Sequence, residues 1–331
     1  MRSKKWGDRR GSNPRQPEPQ SGALPTELRS PCREDGEGKS KTGRHGFPGE
    51  ISAACVLPGT HTPDSGMLMN DDSSVPTDDP QQQLLGSIYH RTREAVSHAL
   101  AGADATGAVL AVAQAALHHI EASVDGIRKA TGAETVCAPG CSFCCWLNID
   151  ALAHEVILIA AYVRSHWTPW EVEELRDAAA ARRERREPQN HAQRQIDRQP
   201  CLLLKDGICS VYPVRPAACR RYFSRDLEAC EALWKDPEAE AEVEFPVVHE
   251  SGRAAAAAVH HAFLKAGLDA SYYDLPSALA EALADPGCAD RWRRGEKAFS
   301  ASAESRTPEG FEQSDAIRRL KQHLDAEMGN P

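Results

Sequence analysis

The chain has 331 residues, 41% hydrophobic and 26% charged, with a formal net charge of −9. Residues 1–50 hold 11 Lys+Arg against 7 Asp+Glu, so the acidity is concentrated in the remainder. An acidic body argues against general nucleic-acid binding, which needs a basic footprint, and no run approaches the roughly 20 apolar residues that span a bilayer.

Residues 1–80 are rich in Gly, Pro, Ser, Asp and Arg and hold only scattered apolar residues. Such a stretch buries too little apolar surface to offset its ordering entropy, so a disordered extension is expected there. Met67 and Met69 near its end mark part of it as a candidate start-site artefact. Arg9-Arg10 is not followed by the apolar stretch of an export signal, and Cys55 has no hydrophobic run before it, so the cytoplasm is the expected compartment.

From Pro80 the pattern turns helical. Gln81 to Leu100 carries apolar residues at mostly helical spacing, and Gly102 breaks it. A second helix is expected from about Thr106 to Lys129, with Val109, Leu110, Val112, Ala113, Ala116, Leu117, Ile120 and Val124 forming a wide buried face. Ala151 to Arg164 reads as a helix nearly surrounded by protein, with Asp150 as its N-cap. Thr168-Pro169-Trp170-Glu171 is a capping box with proline at the first helical position, and Pro188 stops that helix after about Glu187. Leu202-Leu203-Leu204 and Ile208 to Tyr212 flank Lys205-Asp206-Gly207, a hairpin signal. Short helices are expected after Pro213 and Pro216, and longer ones over Gly252 to Leu268, Leu275 to Ala284 and Glu309 to Met328.

Of the eleven cysteines, eight lie between 137 and 230; the others are Cys32, Cys55 and Cys288. In a reducing compartment such clustering points to metal ligands or redox centres rather than disulfides. The first group, Cys137, Cys141, Cys144 and Cys145, has the form C-x3-C-x2-C-C, with Pro139-Gly140 supplying a tight turn. Short spacings of this kind let sulfurs from one loop converge on an ion. Adjacent Cys144 and Cys145 both ligate only through a sharp turn or by serving two neighbouring metals. The second group is Cys201, Cys209, Cys219 and Cys230.

The hairpin register bears on that second group. A two-residue Asp206-Gly207 turn pairs Leu204 with Cys209 and puts Cys201 on the opposite face of a regular strand. A three-residue Lys205-Asp206-Gly207 loop pairs Leu203 with Cys209 instead, and Cys201 then shares that face. If both are ligands, either the longer loop forms or Cys201 precedes the strand.

The C-x3-C-x2-C-C group, followed by Pro200-Cys201, then Gly207-Ile208-Cys209-Ser210-Val211-Tyr212-Pro213-Val214-Arg215-Pro216 and Cys219-Arg220, resembles the YkgJ-type cysteine-cluster family over about residues 130–235. The resemblance implies metal binding, zinc or iron, within a mainly helical fold. It matches Cys137, Cys141, Cys144, Cys145, Cys201, Cys209 and Cys219 to the family's cluster positions, with Cys230 matched in some branches only. Flagellin lysine methylases have a similar cysteine cluster, which leaves an enzymatic role open.

Four thiolates around a divalent ion carry a net charge of about −2 that needs compensation. Arg215 and Arg220 are the candidates to supply it by hydrogen bonding behind the sulfurs. His154-Glu155 begins like a metalloprotease helix, but Leu158 stands where the second histidine belongs; Glu155 is a candidate oxygen ligand, since its helix starts just after the cluster, and a surface or ion-pair role is the expected one. The Arg182-Arg183-Glu184-Arg185-Arg186 run reads as a solvated helix face.

These observations predict a mainly α-helical domain over residues 81–330, with cluster core 137–230 and one small β-hairpin. Its helices surround a centre that holds Zn2+ or an iron–sulfur cluster. The expected partner is the metal ion, with no membrane and no general nucleic acid. The competing reading is an iron–sulfur oxidoreductase or a metal-dependent protein-modifying enzyme.

Overall fold

The computed structural model describes residues 79–103 and 106–302. The expected extension (all but its last two residues), the helix expected over 309–328, and Cys32 and Cys55 lie outside the described residues. What is described is mainly helical, with two small two-stranded antiparallel sheets.

The N-terminal half follows its periodicity. Helix α1 spans Pro80–Ala101, and the side chain of Asp79 accepts from the N–H of Gln81 at its start. Helix α2 spans Thr106–Thr131 and ends at Gly132, whose φ of +65° suits the left-handed position of a helix C-terminus. Strand β1 (Asp150–Leu152) leads into α3 (Ala153–His166), which is buried almost all round, from Ala153 through Ala160. Asp150 is therefore in a strand and does not cap α3. Helix α4 spans Pro169–Arg186, and its capping box forms: the Thr168 hydroxyl accepts from Glu171 N, and the Glu171 carboxylate accepts from Thr168 N.

The short helix α5 (His191–Ile196) precedes the hairpin of β2 (Leu204–Lys205) and β3 (Ile208–Cys209). A 3-10 turn over Tyr212–Val214 follows, then α6 (Ala217–Arg221) and α7 (Leu227–Lys235). Helix α8 spans Pro246–Lys265, starting before the expected Gly252 because Pro246 can open a helix at its first position. Strand β4 (Tyr272–Asp274) leads into α9 (Leu275–Ala284) and α10 (Cys288–Arg293).

The core lies where α1, α2 and α3 meet α8 and α9. The run Ala254–Ala258 in α8 is buried; its small side chains let large neighbours such as Tyr89, Leu117, Ile120 and Phe263 fill the space between helices. Each such large apolar side chain contributes roughly 1.5–3 kcal/mol on burial. Strand β1 pairs with β4 in the register Asp150↔Asp274, Ala151↔Tyr273 and Leu152↔Tyr272. This long-range pair ties the chain just after the first cysteine group to the C-terminal helices.

Arg186 departs from the solvated-face reading. It is 3% exposed and forms an ion pair with Asp274, itself 1% exposed. The inward turn of the α4 terminus gives the carboxylate that starts α9 a cationic partner. Among the described residues no helix is long and apolar enough to cross a membrane.

Candidate metal centre

Residues 137–146 fold as two tight turns. The N–H of Cys141 donates to Ala138 O, with Gly140 at a φ of +90°. A 3-10 helix over Phe143–Trp146 then carries Cys144 and Cys145. At three residues per turn it turns their side chains about 120° apart. Trp234 of α7 packs between Phe143 and Trp146, with both ring centroids 5.8 Å away.

The hairpin closes through the two-residue turn. Leu204 pairs with Cys209 and Lys205 with Ile208, while Asp206 (φ +52°) and Gly207 (φ +76°) occupy the left-handed region. Cys201 therefore precedes the strand. A turn in which Leu204 N donates to Cys201 O frees it from strand alternation, and its own N–H donates to Cys145 O at 2.7 Å. That bond joins the two cysteine groups directly. Cys219 rides on α6 and Cys230 on α7.

Ser224 makes a second junction. Its N–H donates to the Cys137 sulfur at 3.3 Å, and its hydroxyl accepts from the Cys230 thiol at 3.0 Å. Its carbonyl accepts from Val136 N and from the Thr135 hydroxyl.

The eight thiols share one electrostatic neighbourhood. Burial pushes Cys201 up to about 11 and also raises Cys141, Cys209, Cys219 and Cys230, with further upward pushes from nearby cysteines. Cys144 is lowered, chiefly by the Cys145 thiol facing it as a hydrogen-bond donor, and the same contact raises Cys145. Backbone amides two residues ahead donate to three sulfurs: Phe143 to Cys141, Leu203 to Cys201 and Val211 to Cys209. Such donors stabilise thiolates and orient them as ligands.

Arg215 and Arg220 are both buried, and both are held by the carboxylate of Glu121 on α2. Arg220 also donates to the carbonyls of Arg215 and Pro213, and the Arg215 guanidinium stacks 3.7 Å from the Tyr212 ring centroid. Their charge bears on the thiols all the same: Arg215 favours the anion at Cys144, Cys209 and Cys219, and Arg220 at Cys209. Glu121 was not singled out by the sequence, although it adjoins the inward Ile120.

Glu155 is not at the surface. It is 2% exposed, and its carboxylate accepts from Leu152 N and Ala217 N, fixing the start of α6 and so the position of Cys219. The apolar run around it was the available signal, since a carboxylate inside a fully buried helix must have donors. Neither Ser224 nor Trp234 carried a sequence signal; both act through contacts made only in three dimensions.

Residues 136–239 match the CxxCxxCC family model, described as a putative zinc- or iron-chelating domain. The matched segment of the CxxCxxCC domain contains all eight clustered cysteines and covers less than half of the chain. No curated protein and no solved structure matches the chain.

The donor chemistry fits a zinc or iron ion. All nine described cysteines are free of disulfides, eight of them in the CxxCxxCC domain, and thiolate sulfur is the ligand type that selects such metals. Among the described residues, no three His, Cys, Asp or Glu side chains stand grouped to hold an ion as they are oriented. Cys144 and Cys145 instead contact each other, and Cys137 and Cys230 contact Ser224. Cys288, 1% exposed in the core, stands apart from them.

Proposed function

We propose that this is a metal-binding cysteine-cluster protein of YkgJ type, holding zinc or an iron–sulfur cluster through Cys137, Cys141, Cys144, Cys145, Cys201, Cys209, Cys219 and Cys230. The observation that supports this reading is that two sequence-distant groups of undisulfided cysteines meet through the Cys201 N to Cys145 O bond and through Ser224, which contacts the Cys137 and Cys230 sulfurs. Arg215 and Arg220 supply positive charge behind the sulfurs. In this reading the metal is structural and ties the 137–145 loop to the 201–230 segment, so its binding energy adds to folding.

The test is to purify the protein without oxygen, record its visible spectrum and measure zinc, iron and sulfide per chain. Colourless protein with bound zinc supports the structural reading. Iron with sulfide and broad absorbance near 400 nm, roughly, selects an iron–sulfur cluster and the redox or modifying-enzyme alternative. Neither metal, with all thiols free, refutes metal binding. Chelation should lower the melting temperature, and an unchanged melting curve would remove the structural role.

A further inference from the structure

Away from the cysteines, the groove between α4 and α9 opens into a cavity of about 430 Å3. Arg176, Ala180 and Arg183 recur at i, i+4 and i+7, so a single face of α4 forms one wall. Ala280 and Ala284 of α9 lie on the other side, and Arg291 of α10 closes the end together with Lys297 and Ser300. The two helices pack against each other, and alanine at these three positions leaves the space that larger side chains would fill.

The lining is cationic in a chain whose net charge is −9. Four basic side chains, from Arg176, Arg183, Arg291 and Lys297, stand against the carboxylates of Glu281 and Asp285. Both carboxylates are already satisfied within the protein. Glu281 accepts from Ser300 N at 2.7 Å, from Ala301 N at 3.1 Å and from the Ser302 hydroxyl at 3.1 Å. Asp285 accepts from Gly287 N at 2.8 Å and from the Arg291 guanidinium at 2.6 Å. Arg176 is held by Glu173 and Asp177, whose side chains are 54% and 70% exposed, so water screens their charge. Arg183 differs: among the described residues its guanidinium has neither a carboxylate nor a hydrogen-bond partner, although it lines the cavity.

We propose that this cleft binds a small phosphate monoester, with its phosphate on Arg183 amid the other three cations and a compact apolar body over Ala180, Ala280 and Ala284. A guanidinium is a planar fork of N–H donors that matches phosphate oxygens two at a time. A phosphate ester offers three acceptor oxygens and nearly two negative charges, which several cations can share where one carboxylate could not satisfy them. The volume lies within the range of about 300–1,000 Å3 typical of small-molecule clefts. The alanine floor distinguishes an organic ester from free phosphate, since it offers apolar surface that only the organic part can cover.

The experiment is isothermal titration calorimetry on the full chain with phenyl phosphate, and with inorganic phosphate, benzoate and phenol as partial probes. Phenyl phosphate should occupy one site per chain and bind more tightly than any partial probe, with affinity falling as salt is added. Arg183→Gln should keep the parent's melting temperature, because this guanidinium makes no bond within the described fold, and weaken phenyl phosphate by about tenfold or more. Ala180→Leu keeps a good helix former but occupies the floor, and should weaken phenyl phosphate more than inorganic phosphate. No binding by the parent, or equal binding by the parent and Arg183→Gln, overturns the site. Benzoate binding as tightly as phenyl phosphate overturns the choice of phosphate, and inorganic phosphate binding as tightly overturns the apolar body.

Discussion

Glu155, in the first turn of α3, accepts a hydrogen bond at 2.7 Å from the backbone N–H of Ala217, 62 residues farther along the chain. Its other oxygen accepts from Leu152 N at 2.8 Å. One buried carboxylate thus anchors both the end of β1 and the start of the helix that carries Cys219. Glu155→Ala leaves two buried donors without partners and should cost about 2–4 kcal/mol, with Glu155→Gln costing about half of that. Urea unfolding measures the loss. Variants within about 0.5 kcal/mol of the parent would show that water replaces the carboxylate.

Glu121 holds two buried arginines at once. Removing it leaves both guanidinium groups without their carboxylate, and breaking a buried pair is commonly worth about 3–5 kcal/mol. Glu121 is itself 29% exposed on its side chain, so solvent screening lowers the expectation for Glu121→Ala to about 1–3 kcal/mol. Both arginines then shift, and the cobalt-substituted protein should show a changed thiolate charge-transfer band. A band that does not move would separate Glu121 from the centre.

Burial lowers His154 to about 3 and His260 to about 4, with a further push from each one's neighbouring histidine: His260 on His154, and His261 on His260. An unfolded histidine titrates near 6.5, so below that pH the unfolded chain binds more protons than the folded one. Stability is therefore present above about 6.5 and falls as pH drops toward 4 and then 3. Glu155, raised by burial, acts in the opposite sense, its contribution falling as pH rises through its folded value. Neither ring nitrogen of His154 has a hydrogen-bond partner among the described residues. His154→Leu should thus leave stability at pH 7 unchanged or higher and move the acid unfolding midpoint down. An acid midpoint that stays in place would assign acid lability to the other groups.

At Gly252, α8 packs against Arg221 of α6 and Val124 of α2. A Cβ there would stand 2.5 Å from Arg221 Cβ and 2.9 Å from Val124 Cγ2, inside contact distance of two side-chain stems fixed by their own helices. Gly252→Ala gains helix propensity of up to about 1 kcal/mol but forces the helices apart, and overpacking of this kind costs typically about 1–3 kcal/mol. A net loss in thermal midpoint is expected; a net gain would mean that α6 can move without cost.

Cys288 offers the control for the ligand set. It is buried in α10 with its thiol raised by burial, and no clustered cysteine acts on it. Cys288→Ala should leave the metal content unchanged and lower stability only by a small cavity. Cys209→Ser should reduce the metal content. Equal metal loss in both variants would contradict the ligand assignment.

Much of this molecule was legible in the sequence because the signals are local. Periodicity placed α1 and α2, Thr168 and Glu171 announced the start of α4, and Leu275–Ala284 came out as the helix α9 itself, since spacing, caps and proline act within a few residues. The cysteine spacing likewise identified the candidate ligands. The β1–β4 pair was not legible, because three-residue strands carry no period of their own and form only when Asp150 meets Asp274 across the fold. The inward turn of Arg186 and the burial of Glu155 had the same origin: a charged side chain's place depends on partners supplied by distant segments. The sequence by itself determined a helical chain with eight thiols in two clusters. Only the tertiary structure decided that the hairpin takes the two-residue turn, that Cys201 escapes strand alternation, and that Ser224 and Cys145 are where the clusters meet. Those outcomes are contacts between residues far apart in sequence, and nothing in a local pattern of polarity encodes which distant partner a side chain finds.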